Sequence, residues 1–124
     1  MNKIVISLVF AATSLMSSAS FAAASGTACA GATTATAGTS TGTPGTGEFI
    51  QNAFTPQCSA NVHLQWAQSA TAVGVGSAST KGRNYFGGSS NGGGVQPTGT
   101  KCPDTGCVAT GLGDIASSKV GSGT

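Results

Sequence analysis

The clearest pattern in the chain is an alternation of apolar and polar residues from Cys58 to Trp66. Apolar side chains occupy every second position over these nine residues, and polar side chains, His63 among them, occupy the positions between. Strict alternation of this kind is typical of a strand with one buried and one solvated face. The pattern therefore predicts a strand over residues 58–66, with Trp66 facing the core and His63 facing water.

A second alternation occupies residues 71–77. One parity carries Val73 and Val75, whereas the other carries Ala72 and glycines. A nearly bare face on a strand indicates that another sheet or a stretch of backbone packs closely against it. We therefore expect this strand to lie in the interior of the fold.

The remaining patterns are shorter and agree on one fold class. Strands are predicted at residues 33–37, 48–54 and 84–86, and a hairpin is predicted from residues 95–102 and 107–112. Helical periodicity is convincing only within the first two dozen residues. The sequence therefore predicts an all-β protein, a small antiparallel sandwich or open barrel of four to six short strands.

Residues 1–22 are predicted to be a cleaved export signal. Lys3 supplies the basic start, an apolar run follows, and Ser20 and Ala22 place small residues at the −3 and −1 positions of a cleavage site. Cleavage after Ala24 fits nearly as well. The apolar run is shorter than the about 20 residues that span a membrane. We therefore expect an extracytoplasmic protein (periplasmic, on the cell surface or secreted) without an integral membrane segment after cleavage.

Composition divides the rest of the chain into three parts. Residues 23–47 are an Ala/Thr/Gly-rich low-complexity arm or linker, residues 48–112 a small β domain, and residues 113–124 a flexible Ser/Gly-rich tail. From Ala23 onward only 13 residues are Ile, Leu, Val or Phe, a share well under the roughly 20% needed for an ordinary packed core. A core this small needs covalent support.

Four cysteines can supply that support. Cys102 and Cys107 flank a Pro-Asp-Thr-Gly turn, which favours a Cys102–Cys107 disulfide and leaves Cys29 to pair with Cys58. The two other connectivities remain open at this point. The cysteines are a poor metal site, because there is no second closely spaced pair and His63 is distant in sequence. No metal and no cofactor are predicted.

Charge and motifs argue against nucleic-acid binding and against catalysis. The formal net charge is +2 at pH 7 and only 6% of the residues are charged, so no basic surface for nucleic acid is expected. Asp104-Thr105-Gly106 is the triplet found in aspartic proteases, but those enzymes need two facing aspartates, and turn formation explains this one. His63 could act as a catalytic base only beside a nucleophile, and its place on the polar side of a predicted strand is explained without one. We therefore predict no catalytic residues and no enzymatic activity.

Two functions of different class fit these observations. The leading hypothesis is an exported structural or surface-interaction protein (a filament subunit, adhesin-like module or matrix component). Its uncharged arm would add as a strand to a sheet edge of another copy or of another cell-surface protein. The alternative is a monomeric periplasmic or secreted binding module for a glycan or small ligand. Its candidate contacts are His63, Trp66, Arg83, Tyr85 and Phe86.

Overall fold

The computed structural model describes residues 24–41, 48–92 and 94–121. The predicted export signal over residues 1–22 lies outside the described residues, as do residues 42–47 of the predicted arm and residues 122–124 of the predicted tail.

The described residues form one main sheet, one short ladder and one helix. In chain order the elements are β1 (Ala24–Ala30), β2 (Thr36–Ala37), β3 (Gln57–Cys58), β4 (Val62–Gln68), β5 (Val73–Ser79), β6 (Asn84–Ser89), β7 (Gln96–Lys101) and α1 (Leu112–Gly121). The main sheet is antiparallel in the order β1-β4-β5-β6-β7, and β2 pairs with β3. The predicted antiparallel β class is therefore confirmed, but the sheet is open, with β1 and β7 at its edges, and is not a closed barrel.

Helix α1 is the main departure from the all-β prediction. Leu112, Ala116 and Val120 are buried, and their spacing of four residues places them on one stripe of the helix. An acidic residue in the first turn and a basic residue in the last turn complement the helix dipole. The tail that was expected to be flexible over residues 113–124 is therefore helical as far as Gly121.

Glycines on β5 let the helix approach the sheet closely. A methyl group on Gly76 would lie 2.6 Å from the carbonyl oxygen of Leu112, and one on Gly74 would collide with the carbonyl oxygen of Ala116. The bare strand face predicted from the sequence is thus a close-packing surface. The backbone of α1, rather than a second sheet, packs against it.

Strand β4 is shorter than predicted and is covered on both faces. The chain turns at Asn61, whose φ is 63°, so Cys58 belongs to β3 and β4 begins at Val62. Trp66 is buried with Cys58 on one side of the sheet, whereas Ala67 is buried against the helix on the other. The prediction of a solvated second face is therefore wrong, because α1 covers that face.

The first part of the predicted arm is a strand of the main sheet. β1 pairs with β4 from Ala24 opposite Gln68 to Ala30 opposite His63. The disulfide between Cys29 and Cys58 links β1 covalently to β3. The expectation of a loosely held arm over residues 23–47 is therefore corrected for this strand, because its pairing and its cross-link both hold it in place.

Two other strand predictions are also wrong. Residues 48–54 contain no strand, and their β-pairing is limited to an isolated bridge between Phe54 and Thr41. β7 pairs with β6 and not with residues 107–112. The Cys102–Cys107 disulfide closes the turn after β7, and the chain then leads into α1. Both predicted disulfides are confirmed, and each joins the pair of cysteines that the sequence favours.

Candidate functional site

The helix-free face of the main sheet bears an apolar cavity of about 320 Å³. The sheet forms its floor, and residues 48–56 cross above the sheet and form the opposite wall. The lining residues are Ala28, Thr41, Phe49, Ile50, Phe54, Pro56, Leu64, Trp66, Val73 and Val75. Ligand pockets in proteins have volumes of roughly 300–1,000 Å³, so this cavity is large enough for a small molecule.

Hydrogen bonds at both ends hold the cavity wall in place. The Phe49 N–H donates to the Ser69 carbonyl at 2.9 Å, and the Ile50 N–H donates to the side-chain carbonyl of Gln68 at 3.1 Å. At the other end, Thr41 and Phe54 exchange both backbone hydrogen bonds. These hydrogen bonds fix residues 48–54 above the sheet. The bond from Ile50 also satisfies the side-chain carbonyl of Gln68, which is fully buried.

Trp66 contributes ring surface to the cavity but no hydrogen bond. Its side chain is 7% exposed, and its indole Nε1 is buried without a partner among the described residues. A methyl group on Gly26 of β1 would lie 3.2 Å from this nitrogen, so the polar edge of the ring is turned towards β1. The indole therefore presents apolar surface to a ligand.

A shallower depression of about 290 Å³ continues the apolar surface across the sheet. It shares Val73 and Val75 with the cavity and extends to Gly88 and Val95. Phe86 lies on the same face, because it pairs with Ser77, which has the same parity on β5 as the two valines. Large exposed apolar side chains on or above this face are Phe49, Phe54, Phe86 and Val95.

The five binding residues named from the sequence do not form one surface. Trp66 lines the cavity, and Phe86 is 37% exposed on the same face. Tyr85 is buried beside the helix, where its hydroxyl accepts a hydrogen bond from Val108 at 3.4 Å. Arg83 is largely exposed beside Asp104. A joint glycan site of all five residues is therefore not what the fold presents.

His63 is next to Leu64 near the start of β4, but it has the opposite parity to the cavity residues Leu64 and Trp66, and its ring packs directly over Gly31. The ring is half-buried, and its Nδ1 has no hydrogen-bond partner among the described residues. The expectation that this side chain is solvated is therefore corrected. The cause is the register of β1, which brings Gly31 beneath the imidazole.

The Arg83–Asp104 ion pair lies at the surface, away from the cavity. The Arg83 guanidinium lies 3.6 Å from the Asp104 carboxylate, and the side chains are 79% and 99% exposed. Asp104 is thus a surface turn residue. Glu48, which precedes Phe49 of the cavity wall, is instead 9% exposed, and its carboxylate Oε2 is buried without a hydrogen-bond partner among the described residues. Within the described residues, no group of three His, Cys, Asp or Glu side chains is placed to hold a metal ion. Across the same part of the chain, no helix is long and apolar enough to span a membrane.

Comparisons with protein-family models, with curated proteins and with solved structures found no match to this chain. The class of protein is therefore defined by its own geometry. In the part of the chain that the structure describes, it is a disulfide-linked antiparallel sheet with helix α1 on one face and an apolar cavity on the other.

Proposed function

We propose that this protein is an extracytoplasmic, non-catalytic binding module that holds a small, uncharged, apolar ligand on the helix-free face of its sheet. The observation that carries the proposal is the apolar cavity of about 320 Å³ beneath residues 48–56. Disulfides are typical of oxidising compartments outside the cytoplasm, and the export signal predicted at residues 1–22 supports the same location.

The lining determines the class of ligand that fits. Ring carbons of Trp66 and the side chains of Leu64, Val73 and Val75 form the floor, and Thr41 engages its hydroxyl with the Phe54 carbonyl at 3.1 Å. A glycan needs hydrogen-bonding groups to replace its hydration, whereas the atoms that the lining residues expose to the cavity are apolar. An aromatic or aliphatic molecule without charge requires none.

The size of the cavity implies modest affinity. A ligand that buries about 250 Å² of apolar surface gains roughly 6 kcal/mol at about 25 cal/mol per Å². Part of this gain offsets the entropy lost on association. We therefore expect a dissociation constant in the micromolar to millimolar range.

The other hypothesis, donation of residues 23–47 to a neighbouring copy, has less support from the same geometry. β1 of this segment pairs with β4 of its own chain, and the Cys29–Cys58 disulfide links it to β3. Donating β1 to a neighbour would break that pairing and displace a strand cross-linked within its own chain. A role in surface interaction then depends on a face or an edge of the folded domain.

The test is titration of the oxidised protein, residues 23–124, with N-phenyl-1-naphthylamine, an uncharged apolar fluorophore. We expect saturable binding of one dye per chain, quenching of Trp66 emission, and no displacement by maltotriose. Val75→Phe places a larger side chain in the cavity, and Val108→Phe is the matched control at an exposed position outside it. Circular dichroism verifies that both variants fold.

Val75→Phe should weaken dye binding at least about tenfold, equivalent to roughly 1.4 kcal/mol, whereas Val108→Phe should bind as the parent does. Absence of saturable binding, or equal affinity in the two variants, would contradict the proposal. Displacement of the dye by maltotriose would point instead to a glycan site. Dye binding that appears only with dimer formation would assign this face to a second copy of the chain.

A further inference from the structure

Asn91 and Gly92, which follow β6, form the only Asn-Gly dipeptide in the sequence. In this dipeptide the main-chain nitrogen of the glycine can attack the side-chain amide carbon of the asparagine and close a succinimide ring. A β-carbon on the second residue hinders that approach, and glycine has none. The chemistry of the dipeptide therefore singles out Asn91 for a reaction with its own backbone.

The structure leaves both residues accessible for this reaction. Asn91 and Gly92 are exposed, and a methyl group built on Gly92 would meet no atom within 4 Å. The φ of Gly92 is 130°, a backbone conformation that glycine adopts readily. Among the described residues, no backbone carbonyl accepts a hydrogen bond from the Gly92 N–H. The attacking nitrogen is therefore in contact with water and is not held in a hydrogen bond to the backbone.

Hydrogen bonds hold the chain immediately before this dipeptide. The Ser90 N–H donates to the Val73 carbonyl at 2.9 Å, and the Ser90 hydroxyl accepts from the Val73 N–H at 3.0 Å. The Asn91 N–H donates to the Ser89 hydroxyl at 3.2 Å. The fold thus ties the end of β6 to β5 up to Asn91, whereas the next main-chain nitrogen is left to react.

The other asparagines after the predicted export signal lack this combination. Each precedes a residue with a β-carbon: Asn52 before Ala53, Asn61 before Val62, and Asn84 before Tyr85. Asn61 is also fixed in its turn, where its N–H donates to the Ala32 carbonyl at 2.6 Å. Asn52 is exposed as Asn91 is, so the two differ chiefly in the residue that follows. Asn52 is therefore the internal control.

We propose that Asn91 is a site of spontaneous covalent modification, at which the asparagine is converted to aspartate and isoaspartate. The Gly92 nitrogen forms a bond to Cγ of Asn91 while the bond from Cγ to the side-chain nitrogen breaks. Ammonia leaves and carries away the proton of the Gly92 nitrogen. Water then adds to either carbonyl of the succinimide and cleaves its bond to nitrogen. The reaction consumes water alone and involves neither oxidation nor reduction.

The product carries a new carboxylate beside the shallower depression on the helix-free face. Ser90, the residue before Asn91, lines that depression. The formal net charge of the chain, +2 at pH 7, becomes less positive with each modified molecule. The protein therefore separates into charge forms as it ages. The cavity residues themselves are unchanged, so this proposal does not rest on the proposed function.

The test is incubation of the oxidised protein, residues 23–124, in mildly alkaline buffer, followed by ion-exchange chromatography and mass spectrometry. Trypsin cleaves after Arg83 and Lys101, so one peptide contains Asn91, and its fragmentation locates the change. An isoaspartyl methyltransferase detects the isoaspartate. The rate should rise with pH, because the Gly92 nitrogen must lose its proton to attack. A sample digested without incubation corrects for modification during digestion.

Asn91→Gln retains the amide but would have to close a larger ring, so the acidic form should appear at least about tenfold more slowly. Asn52→Gln is the matched control and should behave as the parent does. Circular dichroism verifies that both variants fold. In the parent, the folded protein should react no more than about tenfold more slowly than the reduced protein in urea, because the fold does not restrain Gly92.

Three results would overturn the proposal. They are an unmodified Asn91 after incubation, stronger protection by the fold than this limit, and an Asn91→Gln variant that becomes acidic as fast as the parent. None of these results bears on dye binding, so this proposal and the proposed function fail separately.

Discussion

Replacing Gly76 by alanine tests whether α1 is seated on the glycines of β5. The added methyl carbon would lie 2.6 Å from the Leu112 carbonyl oxygen and 3.2 Å from two carbons of Ile115. Ordinary van der Waals contact begins at 3.4 Å, so the helix must withdraw by about 0.8 Å along this contact. Because neither neighbour is a flexible side-chain end, the backbone of the helix has to move.

Overpacking of this kind costs about 1–3 kcal/mol. A loss of about 2 kcal/mol would lower the midpoint of thermal unfolding by roughly 8–16 °C in a domain of this size. Gly94→Ala is the control, because the nearest atom to its added methyl, in the side chain of Gln96, is 3.8 Å away. Both variants restrict the unfolded chain alike, so their difference isolates the contact with the helix.

The assay is thermal unfolding of the oxidised proteins, followed by far-ultraviolet circular dichroism and by Trp66 fluorescence. Gly74→Ala combined with Gly76→Ala should cost less than the sum of the single variants, because one withdrawal of the helix relieves both contacts. If Gly76→Ala is as stable as Gly94→Ala, the helix is not seated on these glycines and the reasoning is wrong.

Three further predictions concern covalent and electrostatic support. Serine replacement of the Cys29–Cys58 pair, whose residues are 29 apart, should cost about 3–4 kcal/mol, whereas replacement of the Cys102–Cys107 pair, 5 apart, should cost about 2 kcal/mol in the chain-entropy model. Urea denaturation of the two variants measures both losses of unfolding free energy, and a larger loss for the Cys102–Cys107 variant would contradict the chain-entropy model. Full reduction of the parent should abolish its sharp unfolding transition, which calorimetry with and without reductant will show. Asp104→Asn should leave the unfolding midpoint unchanged at low and high salt, because its ion pair is exposed, and a salt-dependent loss would show that the pair matters.

Local patterns were enough to predict part of the fold. Alternation predicted a strand near Trp66, and the Pro-Asp-Thr-Gly turn favoured the Cys102–Cys107 disulfide, which the structure confirms together with Cys29–Cys58. The bare parity of residues 71–77 indicated close packing against β5. These features depend on neighbours in sequence, so the physics that produces them is visible in a window of a few residues.

Helix α1 was missed although its signal was present. Leu112, Ala116 and Val120 recur at the spacing of a helix stripe, but the glycines and serines between them have poor helix propensity. Most of the stability of such a helix comes from burying its apolar face. Here the surface that buries this face is the part of β5 around Gly74 and Gly76, and β5 is far from α1 in the sequence.

The candidate site depended even more on distant contacts. Its walls come from β1, from residues 48–56, and from β4 and β5. The sequence interpretation placed Phe49 and Phe54 on a strand, whereas the Gln68 side chain and the bridge between Thr41 and Phe54 hold them above the sheet. No local pattern carries that information.

The sequence by itself determined the β class and the small core that needs cross-links, and it favoured one of three disulfide pairings, because alternation, composition and turn chemistry are local properties. The tertiary structure alone decided that β1 is a strand of the sheet, that a helix covers one face, and that an apolar cavity remains on the other. The physical reason is burial. Small residues have weak preferences of their own, and what each segment becomes depends on the surface that packs against it.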